Sequence, residues 1–121
     1  MEKNKRRDFC LAFTLEALSR CKGFGYIPEL EDVFCSTASC YDRYRAAKAM
    51  EATSPEKFSH HYAFECLWDC HWDTREFACD KISLTVPHAI EALQEKAADS
   101  FETDRIREIA QERLSKFNID L

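Results

Sequence analysis

The sequence predicts an all-α protein, a compact bundle of about five to seven helices. Three observations carry this. Only two glycines and three prolines punctuate 121 residues, too few for an all-β chain of many tight turns. Apolar residues recur at helical spacing through most of the chain. Ser, Thr or Asp stands ahead of several of those runs, and proline falls at first helical positions. The length suits a single domain, 1–121, with residues 1–6 as a frayed basic tail.

The first helix is expected over 7–22, with Gly23 as its stop. Phe9, Leu11, Phe13, Leu15, Ala17, Leu18 and Cys21 lie around most of its circumference, and only Glu16 and Arg20 make a polar edge. A helix apolar on so many sides is buried centrally or covered by a second chain, so a homodimer is one expectation. Pro28, followed by Glu29, Glu31 and Asp32, opens a short helix to Cys35. "STAS" supplies caps for a helix over 39–52. In "TSPEKF", Ser54 caps, Pro55 begins and Glu56 is the first-turn acid of a helix expected to run to Trp72.

"DTREFACDK" suits another short helix, capped by Asp73 or Thr74. Ile82, Leu84 and Val86 alternate with Ser83 and Thr85. No second good strand is visible to pair with them, so residues 81–86 are at most one short extended connector. Pro87 opens a helix to Ala98 with Ile90, Leu93 and Ala97 on one face. The last helix, over 101–117, carries Ile106, Ile109, Ala110, Leu114 and Phe117 as its apolar stripe.

Net charge is −5, unevenly spread. Residues 1–50 carry nine Lys/Arg against seven Asp/Glu, and residues 51–121 carry eight against fifteen. That is too acidic for a protein whose main task is to coat phosphate backbones. Seven cysteines are an odd number, which complete internal pairing cannot accommodate. The opening "MEKNKRRDFCLAFTLEAL" mimics a signal peptide, but its apolar run is short, Glu16 interrupts it and no A-x-A site follows. The expectation is a cytoplasmic protein with reduced thiols. No apolar run approaches the roughly 20 residues of a membrane span.

The stretch "FECLWDCHWDTREFAC" concentrates the chemistry. On a continuous helix, with about 100° between residues, Ser59, Ala63, Cys66, Leu67 and Cys70 share one sector. Small and apolar, they suit packing against another helix, because buried thiols behave as small hydrophobes. A structural-zinc module is an alternative: Cys66 and Cys70 would give two thiolates, with Cys79, Cys35, Cys40 or a histidine completing the set. The spacing lacks a CxxC knuckle.

On the opposite side of that helix stand His61, Phe64, Trp68 and Trp72, flanked by Lys57, Glu65 and Asp69. Tryptophans among charges fit a partner-binding patch, because Trp is enriched at interface hot spots. The plainer expectation is that C-terminal helices cover them. A second patch is Tyr41, Tyr44, Arg45 and Lys48 on the helix after "STAS". There the plainer expectation is a solvated face. A helix-turn-helix regulator that places these four residues at nucleic acid is a further alternative.

No enzyme signature appears: no phosphate-cradling glycine loop, no G-x-S-x-G and no H-E-x-x-H. Neither a cofactor nor a metal is called for. The function expected is non-catalytic binding to another protein, of inhibitor, immunity, anti-defence or small-adaptor type. The residues that would carry it are His61, Trp68, Trp72, Tyr41, Tyr44, Arg45 and Lys48.

Overall fold

Side-chain caps and prolines set most of the helix starts. The computed structural model of the chain describes residues 11–117, and the protein is all-α, with no strand among those residues. The basic start of the chain, with Arg7 and Phe9, lies outside the described residues. Helix α1 covers 11–18. It is followed by α2 (Pro28–Ser36), α3 (Cys40–Thr53), α4 (Pro55–Lys57), a π-turn (Phe58–Tyr62) and α5 (Ala63–Cys66). Helices α6 (Trp72–Lys81), α7 (Ala89–Ala98) and α8 (Asp104–Lys116) complete the chain. Two compact units result, one ending at Phe58 and the other beginning at Ser59.

In the first unit, Ser39 caps α3 by accepting from the Asp42 N–H at 3.3 Å. Helix α2 packs on α3. Its buried residues are Leu30 and Phe34, and those of α3 include Ala46, Ala47, Ala49 and Met50. Methyl-sized residues let two helix backbones approach closely. The two glycines do a specific task between α1 and α2. Gly23 and Gly25 sit at φ +73° and +112°, where a side chain is strained. That conformation aims their N–H groups at the Ala52 and Thr53 carbonyls, at 2.8 and 2.7 Å. Carbonyls in the last turn of a helix have no partner within it, and these two are satisfied by the loop. Helix α1 stops before the expected 22. Leu15 is buried while Phe13 and Ala17 are exposed, so the helix buries one side rather than its whole circumference.

The second unit departs from the single helix expected over 54–72. The π-turn inserts one wide turn, and α5 ends at Cys66. Beyond it the N–H groups of Leu67, Trp68 and Asp69 reach back three residues rather than four, to Phe64, Glu65 and Cys66. The Asp69 carboxylate then accepts from the His71 N–H at 2.9 Å, a local bond that competes with helix continuation. His71 caps α6, its Nδ1 accepting from the Asp73 N–H at 3.3 Å. The cap expected from Asp73 or Thr74 is thus supplied by the His71 imidazole. Residues 82–86 form a turn rather than a strand. Pro87 precedes α7 instead of opening it, and His88 makes the entry in the left-handed region at φ 66°.

Helix α7 packs on α8, α6 on α8, and α5 on α6. Leu67, Cys79, Ile82, Leu93, Ile106 and Leu114 are fully buried, and each large aliphatic side chain contributes about 1.5–3 kcal/mol by leaving water. Phe117, expected in the α8 stripe, is exposed. Arginines finish the helix ends. Arg113 donates to the Cys79, Asp80 and Ile82 carbonyls at the end of α6, at 2.7, 3.0 and 2.6 Å. Arg107 does the same for the Asp99, Ser100 and Glu102 carbonyls after α7.

The unit's main polar interaction is a buried ion cluster around Glu102. Its carboxylate accepts from Arg75 Nε at 3.2 Å to each oxygen, from the Arg75 guanidinium again at 3.0 Å, and from Lys96 Nζ at 3.1 Å. The Thr103 N–H adds a bond at 3.1 Å. Arg75 also donates to the Asp69 carbonyl at 2.8 Å. One carboxylate therefore joins α6, α7, the α7–α8 connection and, through Arg75, the α5–α6 connection. Burial alone opposes ionisation of Glu102, and it is the largest single influence. The hydrogen bonds from Arg75, Lys96 and the Thr103 amide together outweigh it and hold the carboxyl below the ordinary range.

Glu102→Gln leaves the buried Lys96 and the half-buried Arg75 without their counter-charge, and unfolding by urea should show a loss of roughly 3 kcal/mol. A loss below about 0.5 kcal/mol, the scale of an ordinary surface substitution, would show that the cluster is energetically idle. The pH dependence follows from the lowered carboxyl. Its contribution is complete above the unfolded-state value of about 4.3 and is lost as pH falls through the folded value. Wild-type protein should therefore lose stability on acidification below about pH 4.3 more steeply than Glu102→Gln. Parallel curves would contradict the assignment.

Candidate functional site

Two surfaces carry the residues singled out from sequence, one on each unit. On the first, Tyr41 stands at the start of α3 with its ring 61 % exposed. Tyr44 and Arg45 are half-buried. Arg45 donates to Asp42 at 3.2 Å, one turn back on the same helix. Lys48 Nζ lies 5.2 Å from the centroid of the Tyr44 ring, within cation–π range. The cations on this face are thus engaged by near neighbours.

On the second unit, the expected helical face is divided between two elements. Trp68 lies in the turn after α5, and Trp72 is the first residue of α6. Both are about half exposed, at 52 % and 55 %, so C-terminal helices do not cover them. Each is nevertheless fixed on one side. Phe64 meets the Trp68 ring edge to face with centroids 4.8 Å apart, and Lys96 Nζ stands 5.8 Å from its centroid. Trp72 stacks on the buried His71, with centroids 4.7 Å apart and planes 13° from parallel. Such contacts restrict the indole rotamers before any partner arrives.

His61 lies exposed on the π-turn, while the imidazole that holds a tryptophan is that of His71. A helical wheel aligned His61 with the tryptophans, and the π-turn and the break at Cys66 undo that alignment. Arg75, Lys96 and Glu102 also went unrecognised in the sequence. Arg75 and Glu102 lie 27 residues apart, and no local spacing reports such a pair. The signal that could have exposed the connector is "DCHWD": an Asp two residues before a His N–H, and that His two residues before an Asp N–H, is turn-and-cap chemistry.

The cysteines separate by depth. Cys66 and Cys79 are buried, whereas Cys21, Cys35 and Cys70 are exposed. Cys70, expected beside Cys66 in a packing stripe, leaves that stripe because α5 has already ended. Among the described residues, no group of three or more His, Cys, Asp or Glu is placed to hold a metal ion. Burial pushes the Cys79 thiol up to about 12, with Lys96 pulling the other way and Glu102 adding to the rise. Such a thiol is a packing group rather than a nucleophile.

No helix among the described residues is long and apolar enough to cross a membrane. Comparison with protein-family models, with curated proteins and with solved structures finds no match.

The thiol assignment has a direct check. Brief native alkylation followed by peptide mapping should label Cys21, Cys35 and Cys70 and spare Cys66 and Cys79 until the protein is unfolded. Labelling of Cys79 at the rate of Cys70 would show that its helix packing is wrong.

Proposed function

We propose that this chain is a non-catalytic binding protein that works in the cytoplasm by contact with another protein, of the inhibitor, immunity or small-adaptor kind. One observation carries the reading: both tryptophans of the chain are half exposed although each is already held by a ring contact. A pre-fixed indole buries a large area at a partner and loses little rotamer freedom in doing so. Tryptophan is also the side chain most enriched at interface hot spots.

A second reading is favoured by the first unit. Helices α2 and α3 pack together across a three-residue connection, 37–39, the arrangement a helix-turn-helix uses. Tyr41, Tyr44, Arg45 and Lys48 lie on its second helix. Binding of this kind would weaken steeply with salt and lose part of that slope in Lys48→Ala.

The test of the first reading uses the full chain as bait. A protein retained by the wild type should be lost from Trp68→Ala/Trp72→Ala, while the melting curve of the variant stays within about 0.5 kcal/mol of wild type in stability. Identical retained sets from the two baits would sink the tryptophan reading.

A further inference from the structure

We infer that the partner surface received at Trp68 and Trp72 is basic, a lysine- or arginine-bearing segment of another protein. This rests on the reading that the tryptophans are a docking surface, and it specifies what docks. Carboxylate residues lie close to both tryptophans along the chain. Glu65, exposed, lies one turn before Trp68 and accepts the Trp68 N–H at its carbonyl. Asp69 follows Trp68 and Asp73 follows Trp72, the latter with its side chain 44 % exposed.

The wider field has the same sign. Residues 59–121 carry seven Lys/Arg against thirteen Asp/Glu, a net −6 with histidine neutral. Six of those seven cations are already engaged, Lys81 with Asp80 and Arg105 with Glu76 and Glu108 among them. Arg75 and Lys96 hold Glu102, and Arg107 and Arg113 hold backbone carbonyls at helix ends. Apart from Lys96 at Trp68, these cations are held elsewhere in the unit, whose net negative charge attracts further ones.

The rings point the same way. The π-face of an indole attracts a guanidinium or ammonium, and carboxylates beside the face add to that attraction. Trp68 already has the Lys96 ammonium at cation–π range. An arginine or lysine from a partner would meet an exposed indole together with Glu65 or Asp73. A second copy of this chain fits poorly, because a two-fold contact through one patch sets Glu65, Asp69 and Asp73 against their own equivalents. Phosphate-bearing partners meet the same repulsion.

The test is selection from a random twelve-residue peptide library on the immobilised full chain, with binding of tryptophan-free winners then read by the anisotropy of a dye on the peptide and, in proteins that keep both rings, by tryptophan emission as well. The two indoles are the only ones in the chain, so the emission change reports this surface. Peptides whose binding is abolished in Trp68→Ala/Trp72→Ala should carry an excess of Lys and Arg. Their affinity should fall about tenfold in Glu65→Gln/Asp73→Asn, a variant that keeps both rings, and should weaken with added salt. Tryptophan-dependent peptides without a basic excess, or with equal affinity for the Glu65→Gln/Asp73→Asn protein, overturn the inference and leave the docking reading standing. Winners indifferent to Trp68→Ala/Trp72→Ala defeat the docking reading itself. A doubling of mass in solution that Trp68→Ala/Trp72→Ala removes would make a second copy the occupant and overturn the basic partner.

Discussion

The second unit depends on one carboxylate. Glu102 is almost wholly withdrawn from water and stays ionised because three donors from three places converge on it. A buried carboxylate facing one cation often gains no more from the pairing than it loses in hydration. Here the hydrogen bonds are numerous enough to reverse that balance, as the lowered acidity range of Glu102 reflects. The cluster is specific as well as strong, because a bidentate guanidinium fixes both the position and the plane of its partner. It therefore sets how α6 and α7 are placed about the α7–α8 connection.

The same arginine carries that order outward. Arg75 holds Glu102 with one part of its fork and the Asp69 carbonyl with another. Asp69 in turn fixes His71, which caps α6 and supports the Trp72 ring. Lys96, the other cation on Glu102, stands within range of the Trp68 ring. Trp68 is thus two contacts from the Glu102 carboxylate, through Lys96, and Trp72 is four, through His71, Asp69 and Arg75. The five-residue connection, 67–71, is thereby tied to the helices around it. Pre-ordered rings suit a binding surface, since little freedom remains for a partner to remove. In the first unit the connection between α1 and α2 is held by two glycine amides on the last carbonyls of α3 and by Tyr26, whose ring takes the Lys57 ammonium at 3.6 Å and whose hydroxyl donates to Glu31.

The legible part of the fold was the part written in local chemistry. Ser39 and Pro55 announced the starts of α3 and α4, and apolar spacing marked Leu93 and Ala97 of α7 and Ile106, Ile109, Ala110 and Leu114 of α8 as buried, whereas Ile90 is half-buried and Phe117 exposed. The break between α5 and α6 escaped because Cys66, Leu67 and Cys70 happen to keep helical spacing across it. Periodicity cannot register the Asp69–His71 bond that ends the helix, nor the wide turn over Phe58–Tyr62. The tryptophans stood out by type, yet their division between two elements and the ring partner His71 needed the backbone. Lys96 was the least legible residue of all. It occupies a buried face where apolar spacing leaves no place for a charge, and its reason for being there is Glu102, in the connection that follows α7.

The most direct measurement of this linkage is the near-ultraviolet circular dichroism of Arg75→Lys. Lysine keeps the positive charge but cannot grip Glu102 bidentately while also reaching the Asp69 carbonyl. If the cluster orders the connector, the indole bands should weaken and both tryptophans should become more accessible to acrylamide, while far-ultraviolet helicity persists. Unchanged indole bands and quenching in a folded Arg75→Lys protein would mean that Trp68 and Trp72 are held without help from the buried charges, contradicting the linkage from Glu102 to the rings.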